Sequence, residues 1–152
     1  MLLQLWNRLS KLPAGRWLFS RILGWKVPYT GSIGADVEVL EPGHAIIKLK
    51  DRRCVRNHLD SVHAVALVNL GEVTTGLTLT ASLPAKARII LRSISITYHK
   101  KARGTLISEA RTQATQDLSS RDVEVEANIR NLEGEIVSTL RATWRVGESR
   151  PQ

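Results

Sequence analysis

The stretch from Asn57 to Ser82 reads N-H-L-D-S-V-H-A-V-A-L-V-N-L-G-E-V-T-T-G-L-T-L-T-A-S. A polar loop runs into an apolar segment, Val62 to Ala81, in which Glu72 is the only charged residue. A run of that length predicts one long helix of about 30 Å, closed by Pro84 and capped at its start by Asp60 or Ser61. It is long enough to cross a membrane. His63, Asn69 and Glu72 interrupt it, however, and the alternating segments that follow predict the core helix of a globular domain. A carboxylate in so apolar a segment costs several kcal/mol unless something pairs with it or uses it. Glu72 is therefore either a buried partner of an arginine such as Arg92 or a group with chemical work to do.

After the helix the period changes to two. Ile94, Ile96 and Tyr98 alternate with Ser93, Ser95 and Thr97, Lys100 to Gly104 turns the chain, and Leu106, Ser108 and Ala110 begin a second alternation. Val123, Val125, Ala127 and Ile129 mark a third strand, Asn131 to Gly134 a turn, and Leu140, Ala142, Trp144 and Val146 a last strand. Before the helix, Val37 and Val39, the turn Glu41-Pro42-Gly43-His44, then Ile47 and Leu49 predict a β-hairpin. At the start of the chain, Leu2, Leu5, Trp6, Leu9 and Leu12, then Trp17, Leu18, Ile22 and Trp25, predict two short amphipathic helices, followed by a loop at Pro28 to Gly31. These helices read either as a cap on the domain or as an interfacial membrane anchor through residues 1–26.

The chain has 152 residues, 43% hydrophobic and 24% charged, the profile of one globular domain. Cys54 is the only cysteine, so no internal disulfide can form. With no cleavable leader pattern, a cytoplasmic location is expected. The formal charge of +8 points to an anionic partner. Half of the 22 lysines and arginines lie in two regions without an acid: Arg8, Lys11, Arg16, Arg21 and Lys26, and then Lys86, Arg88, Arg92, Lys100, Lys101 and Arg103. A nucleic-acid surface is not expected, since Trp6, Trp17 and Trp25 fall outside the basic strands. No metal-ligand spacing or phosphate loop occurs.

A helix apolar nearly all round must be enclosed, and an antiparallel sheet curved around it is the economical solution. The order of hairpin, long helix and then strands resembles the hotdog fold, an α+β architecture, from about Ile33 to Val146. That divides the chain into a helical extension at 1–30, a hotdog domain at 31–147 and a disordered tail at 148–152. The start of the helix is similar to hotdog thioesterases of the phenylacetic-acid-pathway and 4-hydroxybenzoyl-CoA types. These carry an Asn or Gln, then His-Gly-Gly, then Asp or Glu further along the helix; the matching positions are Asn57, His63 and Glu72. Ala64 and Val65 replace the two glycines. The chain most resembles the hotdog branch known only as a domain of unknown function.

The resemblance implies thioester hydrolysis, with acyl-CoA or an acyl-carrier-protein thioester as substrate and coenzyme A present only as part of it. Glu72 would then be nucleophile or general base, the Ala64 N–H would face the developing oxyanion, and His63 would orient the loop. Lys100, Lys101 and Arg103 would meet the CoA phosphates. Ala64 and Glu72 are eight residues apart on one helix, about 12 Å along its axis. One chain cannot close both on a single carbonyl, so a homodimer or a dimer of dimers is expected. The lost glycines leave a second reading open, a weakly catalytic binder of the same thioesters. Each residue also has a structural reading: Asn57 as a loop organiser, His63 as a cap.

Overall fold

The computed structural model describes residues 2–148. Helix α1 (Leu2–Leu9) and helix α2 (Gly15–Lys26) occupy the expected amphipathic segments. Trp6 and Phe19 meet edge to face between them, with ring centroids 5.1 Å apart. The expected loop after α2 is instead a short helix, α3 (Pro28–Ser32). Pro28 presets its first turn, and Gly31 packs so closely on Gly24 that an added Cβ would stand 2.4 Å from the Gly24 carbonyl oxygen. The expected hairpin follows as β1 (Asp36–Glu41) and β2 (His44–Leu49), with Gly43 at φ +77° in the turn.

The apolar run forms α4 (Ala64–Ser82), a helix that passes the length and composition test for a membrane span but is mostly buried inside the domain. Its cap is neither Asp60 nor Ser61. Val62 donates to the Ala102 carbonyl and His63 to the Val55 carbonyl, which keeps the chain extended through His63. The helix therefore starts at Ala64, and His63 Nδ1 accepts the Val65 N–H at 3.1 Å. Four strands follow: β3 (Ala87–Tyr98), β4 (Leu106–Arg111), β5 (Arg121–Arg130) and β6 (Ile136–Glu148). Glu148, assigned to the tail by the sequence, pairs with Ala87 at the end of β6; the rest of the expected tail, 149–152, lies outside the described residues.

All six strands join one antiparallel sheet in the order β1-β2-β4-β5-β6-β3, with α4 lying across it against every one of them. The architecture is the expected sheet around a long helix. Val125, Ala127, Ile129, Leu140, Ala142 and Val146 point at the helix and are almost wholly buried. The alternate residues face outward, where Glu126 opposes Arg141 and Asp122 opposes Arg145 as cross-strand ion pairs. Gly71 is needed where α4 crosses β6, since a Cβ there would lie 2.7 Å from Leu140 Cδ1. The buried threonines of α4 satisfy themselves locally: Thr74 Oγ1 donates to the Leu70 carbonyl at 2.6 Å, and Thr75 Oγ1 to the Glu72 carbonyl at 2.9 Å.

The segment Lys100 to Gly104 is not a turn between neighbouring strands. β3 pairs only with β6 at the sheet's edge, so the segment carries the chain from that edge across to β4, past the N-terminus of α4. This crossover brings the second basic region to the helix start.

Candidate functional site

Two loops and a strand end converge on the first turn of α4. In the first loop, Asn57 Oδ1 accepts the N–H of Leu59 at 2.9 Å and of Ser61 at 3.3 Å, so Asn57 does organise its loop. Its amide nitrogen has no partner among the described residues. The second loop is the crossover, bound to the first where Ser61 Oγ donates to the Ala102 carbonyl at 3.0 Å. The strand end is Tyr98, whose hydroxyl donates to the Ala64 carbonyl at 3.2 Å. Partial burial pushes the Tyr98 phenol pKa up.

Between them lies a cavity of about 340 Å³ lined by Asn57, Ser61, Ala64, Tyr98, Lys100 and Lys101, among others. Four expected site residues, Asn57, Ala64, Lys100 and Lys101, are thus brought together. The Ala64 N–H, at the first helical position, makes no hydrogen bond among the described residues and stands at the positive end of the helix dipole. The arrangement can hold an anion or a polarised carbonyl oxygen there.

His63 lies apart from this cavity. Its ring caps the helix and borders a neighbouring cavity of about 260 Å³ beside Cys54 and Asn69. The three cations of the crossover also divide. Lys100 is tied to Glu135, and that ion pair with the Asn131 amide holds the Glu135 carboxyl below its ordinary value. The Arg103 guanidinium donates to the Asp60 carbonyl at 3.1 Å and the Leu59 carbonyl at 3.4 Å, strapping the Asn57 loop. Lys101 is exposed and makes no ion pair among the described residues.

Glu72 sits two turns further along α4, about 12 Å from Ala64 along the axis. Arg92 does not pair with it, and no other cation or donor among the described residues does. Burial alone pushes its carboxyl pKa up. Its surroundings explain why. α4 is covered on every side but one, a stripe formed by Val65, Val68, Glu72, Gly76 and Thr80 at intervals of three and four residues. The carboxylate stands in the middle of that open, otherwise nearly apolar stripe.

Spacing in the sequence could not have revealed Tyr98, because its contact with Ala64 depends on where β3 ends. A further cavity was equally illegible. It measures about 460 Å³ and lies under α2 and α3, with Leu23, Val37, Ile47 and Val73 in its lining, a volume typical of small-molecule pockets.

No curated protein matches the chain in sequence. Among solved structures, a structural-genomics target superposes with a TM-score of 0.84 at 28% identity, over 97% of this chain and 99% of its own. A protein of unknown function from Pseudomonas aeruginosa, called a probable thioesterase, superposes with a TM-score of 0.78 at 24% identity, over 90% of this chain and 97% of its own. A thioesterase from Haemophilus influenzae does so with a TM-score of 0.71 at 14% identity, over 82% of this chain and 85% of its own. These likenesses establish the hotdog fold. Residues 15–146 match the model of a family described as Domain of unknown function (DUF4442), and the chain belongs to that family.

Proposed function

We propose that this protein hydrolyses an acyl thioester, carried on coenzyme A or an acyl-carrier protein, at a site completed by a second copy of the chain. The observation that carries the reading is Glu72: an unpartnered carboxylate, its pKa raised by burial, in the middle of the one uncovered stripe of the core helix. A spectator carboxylate gains nothing from that position, whereas a general base gains a pKa nearer neutrality. As base, Glu72 removes a proton from water while the water oxygen attacks the thioester carbon. The oxyanion is met by the Ala64 N–H of the other chain. The C–S bond then breaks, and the proton held by Glu72 passes to the departing thiolate. As nucleophile, Glu72 would instead attack the thioester carbon and expel the thiolate, forming a mixed anhydride that water opens to the free acid and Glu72.

The separation of Ala64 and Glu72 along one helix supports a site built from two chains. A two-fold arrangement with antiparallel α4 helices covers the open stripe and sets each Glu72 near the partner's helix start. The strand β3 supports it. β3 is 12 residues long and pairs on one side only, so it offers an open sheet edge to a second copy. At the helix start, the Asn57 amide can reach the substrate, and Lys101, with Lys100, offers charge to the nucleotide phosphates. The neighbours named thioesterases share the fold and support the same class of reaction.

A specific observation favours a second reading, that of a weakly catalytic binder: Ala64 and Val65 stand where the resembled thioesterases have two glycines. Hydrolysis measured across a panel of acyl-CoA thioesters separates the two. Turnover by the parent that is lost in Glu72→Gln supports hydrolysis; saturable binding without turnover, unchanged in that variant, supports the binder.

A further inference from the structure

Of the eleven large apolar side chains that stand exposed among the described residues, six fall between positions 12 and 29: Leu12, Trp17, Leu18, Trp25, Val27 and Tyr29. The cluster is not the weak side of an amphipathic helix. On α2, Phe19, Ser20 and Leu23 face inward, while Trp17, Leu18 and Trp25 share an outward arc of about 100°. Trp25 is 80% exposed and Trp17 57%. An isolated surface leucine needs no explanation, but two tryptophans and a tyrosine gathered on one cap do.

The charge around the cluster says what it meets. No acid occurs in residues 1–30. Arg16 and Arg21 are paired across to Glu38 and Asp36 on β1, while Arg8, Lys11 and Lys26 make no ion pair among the described residues. Tryptophan and tyrosine beside unpaired lysine and arginine are the side chains that settle at the headgroup level of a bilayer. A second copy of the chain fits less well. In a two-fold contact the patch would meet itself, setting these cations against their own copies, while the nearby acids Asp36 and Glu38 are already paired with Arg21 and Arg16. Nucleic acid would stack on the aromatic rings but leave Leu12, Leu18 and Val27 without a role. The exposed cluster on α2 packs beside β1, the other edge strand of the sheet from β3, and of the cap only α1 borders β3, where Leu2 and Leu3 share a cavity with Ala87 and Ile89. Finally, Trp25 and Pro28, both exposed, line the 460 Å³ cavity, so that cavity opens beside the patch.

We infer that the helical cap α1–α3 docks the protein on an anionic lipid surface, with Trp17, Trp25 and Tyr29 at headgroup depth and Arg8, Lys11 and Lys26 over the lipid phosphates. The inference is independent of the hydrolytic reading.

The test uses the full chain and vesicles of phosphatidylcholine with or without phosphatidylglycerol. Trp6 and Trp144 are buried, so a blue shift of tryptophan emission on adding vesicles reports Trp17 and Trp25. Binding to the anionic vesicles with that shift is expected, and much weaker binding to the neutral ones. Two charges are removed in Lys11→Gln/Lys26→Gln; at about fivefold per basic residue, binding should fall about twenty-five-fold with the melting temperature held. Trp17→Ser/Trp25→Ser should abolish the shift. Absence of vesicle binding at low salt overturns the inference. So does a Trp17→Ser/Trp25→Ser variant that binds like the parent, or one whose oligomer dissociates in light scattering, which would make the patch a contact between copies.

Discussion

Replacing Ala64 with proline removes one atom pair, the backbone N–H, and little else. Ala64 is the first residue of α4, where proline is favoured because that N–H has no partner inside the helix. The residue before it suits the change: His63 has φ −63° and ψ 140°, the extended conformation that proline requires of its predecessor. No hydrogen bond among the described residues is broken, since the Ala64 N–H donates to none. Stability should therefore stay within about 0.5 kcal/mol, the range for substitutions that disturb no buried contact. Catalysis should not survive so well. Loss of one oxyanion donor costs about 10²–10³ in kcat, or about 2.7–4 kcal/mol of transition-state stabilisation. The assay is steady-state hydrolysis of the best acyl-CoA substrate, with thermal melting at fixed protein concentration as the control. Wild-type kcat in a folded Ala64→Pro protein would refute the role of this N–H.

Glu72→Gln should stabilise the protein while abolishing turnover. Burial raises the Glu72 pKa, so its contribution to stability is fully present below the ordinary value near 4.5 and is lost as pH rises through the raised value in the folded protein. Melting temperatures should match at pH 4, and the variant should lead at pH 8; equal pH profiles would show that the carboxylate is not strained by burial. In the crossover, Lys101→Ser should raise KM for acyl-CoA with kcat held, because phosphate contacts bind ground and transition states alike. Arg103→Ser should instead loosen the Asn57 loop and lower kcat, seen as a kcat effect with a smaller change in KM.

What could be read without the structure was what repeats locally. The apolar run around Glu72 and the alternations at Ile94–Tyr98, Val123–Ile129 and Leu140–Val146 each impose their own period, so α4 and the strands are legible one by one. Strand order is not local. Lys100 to Gly104 looks like a hairpin turn because nothing in its residues says that β3 pairs with β6 and β4 with β2 and β5. The cap of α4 was misplaced for the same reason: Asp60 and Ser61 have the better capping chemistry, but the bonds from Val62 and His63 to distant carbonyls move the helix start to Ala64. Pro28 to Gly31 reads as a loop until Gly31 is seen packed on Gly24 within a short helix. At the site, residue type pointed to Glu72 and the family resemblance to Ala64, while the division of labour among Lys100, Lys101 and Arg103 depends on partners 35 to 44 positions away in the chain.

The claim that one site draws on two chains is tested most directly by mixing two inactive variants. Glu72→Gln lacks the base and Ala64→Pro lacks the donor, so each homodimer has two defective sites. A mixed dimer has one doubly defective site and one site with Glu72 from one chain and Ala64 from the other. After equal amounts are unfolded together and refolded, half the dimers are mixed, and activity should return to about a quarter of wild type. A mixture no more active than its components, with exchange of subunits demonstrated, would contradict the account.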